Sequence, residues 1–199
     1  MNTFKLLMAT SCLLVMSANG IAQKDYSKSE GLLQYVDPTI GSGYHGHVFV
    51  GTSVPYGMVQ LGPSNIHKGW DWCSAYHHSD SIVIGFSHTH LSGTGCTDLG
   101  DILIMPLNEI RTPRGNQDDI RDGYASKYSH ANEVTRPEYY SLVLDRYNIK
   151  AELTATDRVG FHRYTYPQGK PASILIDLRE GNGTNAYESY IRKVDDYTV

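Results

Sequence analysis

Residues able to do chemistry crowd between Tyr35 and Leu107. This stretch holds seven of the nine histidines, both tryptophans and two of the three cysteines, and all of these but His67 fall in YVDPTIGSGYHGHVFVG, GWDWCSAYHHSD and GFSHTHLSGTGCTDLGDILIMPL. His45 and His47, and again His88 and His90, stand two apart, so on extended backbone each pair shares one face. With Cys73, Cys96, Asp98 or Asp101 nearby, such pairs are a legitimate start for a zinc site. Neither pair has a fixed third ligand, however, and the cysteines lack Cys-X-X-Cys spacing. Histidines that hydrogen-bond hydroxyls, or one another, are the competing reading.

Trp70, Asp71 and Trp72 form a compact set. On an extended segment the two indoles fall on one side and the carboxylate on the other. Indole faces stack on the apolar face of a sugar ring, and a carboxylate accepts from its hydroxyls. Core packing of one tryptophan is the alternative. Asp98 and Asp101 flank Gly100, a pattern open to general acid and base work, although Asp in a Gly-rich turn more often caps backbone amides. Gly41, Gly43 and Gly46 have the spacing of a dinucleotide fingerprint, but Asp37 and Pro38 precede them and no helix pattern follows. These glycines are better read as letting the backbone turn tightly and approach a ligand. No Gly-X-Ser-X-Gly elbow is present, so a serine triad has no support.

The elements that must position these residues read as β. Ser81 opens the continuously apolar run Ile82–Phe86, and Ile102 to Leu107 is another. Tyr139 to Asp145 and Ile149 to Thr156 make a hairpin around Arg146 to Asn148, the second strand alternating with Ile149, Ala151, Leu153 and Ala155 on one face. Val159 to Tyr166 and Ala172 to Leu178 continue the series across a Pro- and Gly-bearing turn. No sustained helical periodicity appears. The fold class expected is all-β, a β-sandwich. Thr112 to Asn132, rich in Arg, Asp, Gly and Ser, reads as a long surface loop.

Both ends carry information. Lys5, the apolar run Leu6 to Met16, and Gly20 to Ala22 predict a secretory signal peptide over residues 1–22, followed by a polar leader over 23–34 and the β-domain over 35–199. The run is broken by Thr10, Ser11 and Cys12, short of the roughly 20 apolar residues of a membrane span, so no transmembrane segment is expected after cleavage. A lipid anchor on Cys12 is disfavoured because too little apolar sequence precedes it. Removing residues 1–22 takes away only Lys5, moving the net charge from −4 to −5, which argues against a nucleic-acid partner. In an exported protein Cys73 and Cys96 are open to either a bridge or two thiols. Tyr197 to Val199 read as the start of a strand with no terminal cap, so the sandwich is expected to be truncated before its last strands, with exposed edges.

VDPTIGSGYHGHVFVGTSVPYGMVQLGP and GWDWCSAYHHSDSIVIGFSHTHLSGTGCTDLGDILIMPL resemble the N-terminal domain of glycoside hydrolase family 92, with looser similarity through ATDRVGFHRYTYP and ILIDL. Val50 departs from the pattern, where a proline is more often expected. The resemblance implies a secreted or periplasmic, calcium-dependent, inverting α-mannosidase acting on mannose-containing glycans. It implies a β-sandwich joined to an (α/α)6 barrel, with the active site between them and the general acid, general base and most calcium ligands on the barrel. No catalytic residue is then expected in this chain, which alone would be inactive. Gly46, His47, Trp70, Asp71, Trp72, His88, His90 and Asp98 are the expected substrate-contacting or pocket-supporting residues. The alternatives are a free-standing carbohydrate-binding module and a zinc-binding protein.

Overall fold

The computed structural model describes residues 30–116, 118–179 and 186–199. The signal peptide and residues 23–29 of the leader lie outside them. Among the described residues, the N-terminal unit, which ends at Tyr35, holds one short helix, α1 (Glu30–Leu33), and the second unit, Val36–Val199, carries nine strands and two 3-10 turns.

Those strands form two antiparallel sheets. The first has the order β1 (Gly62–Asn65), β2 (Ile82–Ser87), β3 (Leu103–Leu107), β9 (Ser173–Asp177), with β4 (Ser126–Lys127) also on β2. The second runs β5 (Val134–Arg136), β6 (Tyr139–Leu144), β7 (Ile149–Ala155), β8 (Gly160–Thr165). Alternation decides what each strand buries: Ile149, Ala151 and Leu153 of β7 are sealed, while Lys150 and Thr154 face solvent. They meet Leu142 and Leu144 of β6 and, from the other sheet, Val83, Phe86, Met105 and Leu107 in one apolar cluster. β2 is buried almost throughout, as its unbroken apolar run predicts. The fold is the expected all-β sandwich.

Three local expectations are corrected. Residues 112–132 are not simply a surface loop, because Tyr124, Ala125 and Tyr128 are core residues and β4 lies among them. Their polar neighbours masked an inward-facing Tyr-Ala-Ser-Lys-Tyr alternation. Tyr197 to Val199 do not begin a strand; Val194 and Asp195 both donate their amides to the Thr198 carbonyl, closing a turn. Ile102 stands outside β3 with φ +53, a left-handed conformation that a β-branched side chain resists.

Polar groups knit the sheets as well. The carboxylate of Glu133, buried beside β5, accepts hydrogen bonds from Tyr140 (2.6 Å), Tyr76 (3.2 Å) and His130 Nδ1 (2.5 Å). Both tyrosines are fully buried. Outside the second sheet, Glu152 takes a two-pronged grip from Arg163 (2.8 Å to each oxygen) and further donors from Tyr139 and Lys150. The Arg163 hydrogen bonds, with help from Tyr139, hold the Glu152 carboxyl at about 2. Because this folded value lies below the unfolded one near 4.5, the stabilisation is present above pH 4.5 and is lost as pH falls towards 2. Urea midpoints measured from pH 6 to pH 2.5 should therefore decline less steeply for Glu152→Gln than for the natural chain; parallel profiles contradict this.

Each sheet has an open margin. Among the described residues β8 pairs only with β7, and β9 only with β3. Ile174 on β9 is exposed, and Ile102, Ile176, Leu178, Tyr190, Ile191 and Val199 help line an apolar cleft of about 420 Å³. Unpaired strand edges beside apolar surface invite pairing between molecules. Light scattering after size exclusion is expected to show mass rising with concentration; a constant monomer mass would refute this.

Candidate functional site

Three loops build the site. The first, residues 41–51, leaves the Asp37–Ser42 turns and closes on itself when the Val48 amide donates to the Gly41 carbonyl (3.0 Å). Gly46 is required there, since a Cβ on it would stand 2.1 Å from the Gly41 oxygen. The second loop carries a 3-10 turn at Trp70–Trp72, with Cys73 N donating to Trp70 O. The third is a hairpin from His88 to Asp101, closed by His88 N to Asp101 O (3.1 Å), Gly100 N to Thr89 O (2.8 Å) and a bridge between His90 and Leu99.

The 3-10 turn separates the tryptophans, which extended backbone would have kept together. Trp70 points outward and is half-exposed, its Nε1 donating to the Gly95 carbonyl at the hairpin tip (2.9 Å). His47 meets it edge-on at 4.2 Å, and His45 lies 5.4 Å away. Trp72 turns inward, stacks on His77 at 4.4 Å and donates to Asp80, which also pairs with Lys68 (2.8 Å). Only the first indole therefore offers a face to a ligand.

Asp71 sits between the two imidazoles of the first loop. His45 Nδ1 donates to its Oδ1 at 2.5 Å, a contact that holds the Asp71 carboxyl below the usual carboxylate range. His47, buried and with φ +54, brings Nε2 to 3.5 Å from the same oxygen, near enough for attraction but without hydrogen-bond geometry. The Gly93 amide donates to the His47 carbonyl (2.7 Å), and the Phe49 amide to Ser92 Oγ. The hairpin tip is thus pinned to both other loops. Cys73, buried, adds a fourth pin through its thiol to the Thr94 carbonyl (2.9 Å), and burial pushes that thiol's pKa up.

The second histidine pair divides in the same way. His90 is buried, donates from Nδ1 to the Gln60 carbonyl (2.8 Å) and turns Nε2 to Ser64 Oγ (3.4 Å); burial holds it near 4, so it is neutral at neutral pH. His88 donates from Nδ1 to the Ile102 carbonyl (2.9 Å) and faces His162 with Nε2 (3.0 Å). Asp98 accepts from the Leu99 amide (2.8 Å), the turn-capping role, and Asp101 accepts from Thr89. Among the described residues no group of three or more His, Cys, Asp or Glu side chains could hold a metal ion. The zinc arrangement is not assembled by them.

Gly46, His47, Trp70 and Asp71 come together; Trp72, His88, His90 and Asp98 brace the loops behind them. Sequence reasoning missed Asp80 and His162. Asp80 carried a signal, as an acid just before a buried strand caps its amides, here Ser81 and Ile82. His162 carried none beyond its inward place in the β8 alternation.

Fold and site together define an antiparallel β-sandwich domain whose loops present one half-exposed indole beside a carboxylate and two imidazoles. The chain belongs to glycosyl hydrolase family 92, whose N-terminal domain model matches residues 35–199. It is 39% identical to a family GH92 α-mannosidase from Bacteroides thetaiotaomicron solved with mannoimidazole, at a TM-score of 0.73 over 76% of this chain and 20% of that one. A family GH92 inverting mannosidase of the same organism gives 25% identity and a TM-score of 0.59, covering 74% of this chain and 19% of the other. An uncharacterized secreted glycosidase of Arthroderma benhamiae is 30% identical over 160 residues, 75% of this chain and 20% of its own length. The chain thus spans about a fifth of the length of the relatives it matches. Among the described residues no helix is long and apolar enough to cross a membrane.

Proposed function

We propose that residues 35–199 are the sugar-pocket-lining domain of a secreted or periplasmic inverting α-mannosidase, acting on terminal α-mannosides of glycans. The observation that carries this reading is the half-exposed Trp70 indole beside Asp71 and His45, inside the segment matched by the family model. Trp70 supplies the stacking face, and Asp71 and His45 supply hydroxyl partners. Gly46 and His47 shape the first loop, Trp72, His88 and His90 support the pocket from behind, and the exposed Asp98 caps the Leu99 amide in the third loop. Export through the segment 1–22 fits the relative described as secreted.

Inversion needs a carboxylic acid and a carboxylate about 6.5–9.5 Å apart with room for water between them. Those two groups, and the residues holding calcium, are assigned to the barrel domain rather than to residues 35–199. Calcium would supply polarisation and distortion of the bound ring.

Two arms test the reading. The 199-residue chain with calcium should turn over no α-mannoside, and turnover would overturn the division of labour. Exchanging residues 35–199 into the 39%-identical α-mannosidase should give an active enzyme in which Trp70→Ala lowers kcat/KM by about two- to tenfold, since stacking is worth about 0.5–1.5 kcal/mol beyond burial. An unchanged kcat/KM would remove Trp70 from the pocket. Calorimetric binding of mannosides by the isolated chain, without need of a partner domain, would instead favour the free-standing module.

A further inference from the structure

One chain of hydrogen bonds crosses from the site to the opposite sheet, and its proton positions are fixed by geometry. His88 Nδ1 lies 2.9 Å from the Ile102 carbonyl, an acceptor only, so that nitrogen carries a proton. In neutral His88, Nε2 is then a lone pair. His162 Nε2 stands 3.0 Å away and must be the donor. That leaves His162 Nδ1 as an acceptor, and Tyr164 supplies the proton at 2.6 Å. A single pattern satisfies all three contacts: Tyr164 to His162, His162 to His88, His88 to Ile102. Reversing any bond sets two lone pairs or two N–H groups against each other.

The surroundings are shaped to admit this chain. A Cβ on Gly160 would stand 2.7 Å from His88 Cδ2, so the first residue of β8 leaves the space that the ring fills. Ile102 adopts its left-handed backbone where its carbonyl meets His88. Burial keeps His162 near 4 and pushes Tyr164 upward, which favours the neutral relay. His90 is the other titratable ring within electrostatic reach of His88, and it is neutral for the same reason.

We propose that His162 is a positioning residue for the sugar site: through His88 it fixes the base of the 88–101 hairpin, whose tip anchors Trp70 at the Gly95 carbonyl. The role of Trp70 rests on the functional reading above; the relay itself does not. The hairpin base is where His88 both donates its amide to Asp101 and accepts from the Gln60 amide (2.9 Å), so a displaced ring loosens both bonds.

The test uses the full chain and long-range nitrogen–proton spectra of its imidazoles. In the natural protein at neutral pH, His88 should show a single tautomer protonated on Nδ1, and His162 one protonated on Nε2. His162→Phe, which keeps a ring but no nitrogen, should leave His88 protonated on Nδ1 but shift its Nε2 resonance, as the hydrogen bond there is lost, and speed amide exchange at His88 and Gln60 by about tenfold or more. A folded His162→Phe protein with an unchanged His88 spectrum and unchanged amide protection overturns the proposal. Should that variant fail to fold, Tyr164→Phe removes only the terminal donor: His162 should stay protonated on Nε2 with a shifted Nδ1 resonance, and a His162 found protonated on Nδ1, or with its Nδ1 resonance unchanged, overturns the relay equally. None of these signals needs a sugar, so loss of mannoside recognition with the tautomers intact would count against the functional reading alone.

Discussion

Glu133→Ala is expected to lower the unfolding free energy by about 3–5 kcal/mol, since two buried hydroxyls lose their acceptor at about 1–3 kcal/mol each. The carboxylate is the shared acceptor of Tyr76, Tyr140 and His130, and alanine leaves two sealed hydroxyls without that acceptor. At roughly 2–4 °C per kcal/mol for a domain of this size, the melting point should fall by roughly 6–20 °C. Glu133→Gln keeps an acceptor oxygen and should lose less. Calorimetric melting of both variants checks this, and a midpoint for the alanine protein within a degree of the natural chain would show that the network carries little.

The second large effect is on the site. Gly46→Ala places a methyl group where the Gly41 oxygen already sits, with the Gly41 carbonyl carbon at 2.7 Å and Cα at 2.9 Å. All three are backbone atoms, so the loop must open. Opening moves His45 and His47 away from Asp71 and Trp70. A misplacement of about 1 Å at a substrate-positioning group costs on the order of 100-fold in rate, and kcat/KM of the domain-exchanged α-mannosidase should fall by about that factor. Overpacking itself should cost about 1–3 kcal/mol in stability, so the melting curve will shift far less than the activity. Equal activity in the alanine variant would mean that the first loop does not shape the pocket.

What the sequence disclosed depended on how local the cause was. The alternation of Ile149, Ala151 and Leu153, the run Ile82–Phe86 and the hairpin at Arg146–Asn148 are short-range patterns, and the strands follow them closely. β1, with the sequence Gly-Pro-Ser-Asn, has no strand propensity and exists because β2 pairs with it in a buried setting. Tyr124 and Tyr128 were hidden because burial is decided by partners distant in sequence, such as Asp177 accepting from Tyr124. In the site, residue types pointed to one crowded region, of which the structure brings Gly46, His47, Trp70 and Asp71 together. The direction of each ring did not follow, because spacing arguments assumed extended backbone, whereas Trp70–Trp72 form a 3-10 turn and His47 is left-handed. Gly46 was legible in part: three glycines in six residues announce a tight turn, but the close approach is to the Gly41 carbonyl, where the spacing suggests a ligand.

Among the described residues, six of the eight non-glycine residues with positive φ, Tyr44, His47, Tyr56, Ala75, Leu99 and Ile102, fall between positions 44 and 102. Left-handed backbone costs roughly 1–2 kcal/mol for each such residue, and here the cooperative folding of the sandwich meets that cost. Under the function proposed above, a pocket wall shaped in advance would lose little freedom when a ligand settled on it, so weak individual contacts would still add up to selective recognition. Rigidity of this kind would also narrow the choice: a ring whose hydroxyls did not match Trp70, Asp71 and His45 would find no loop ready to move towards it.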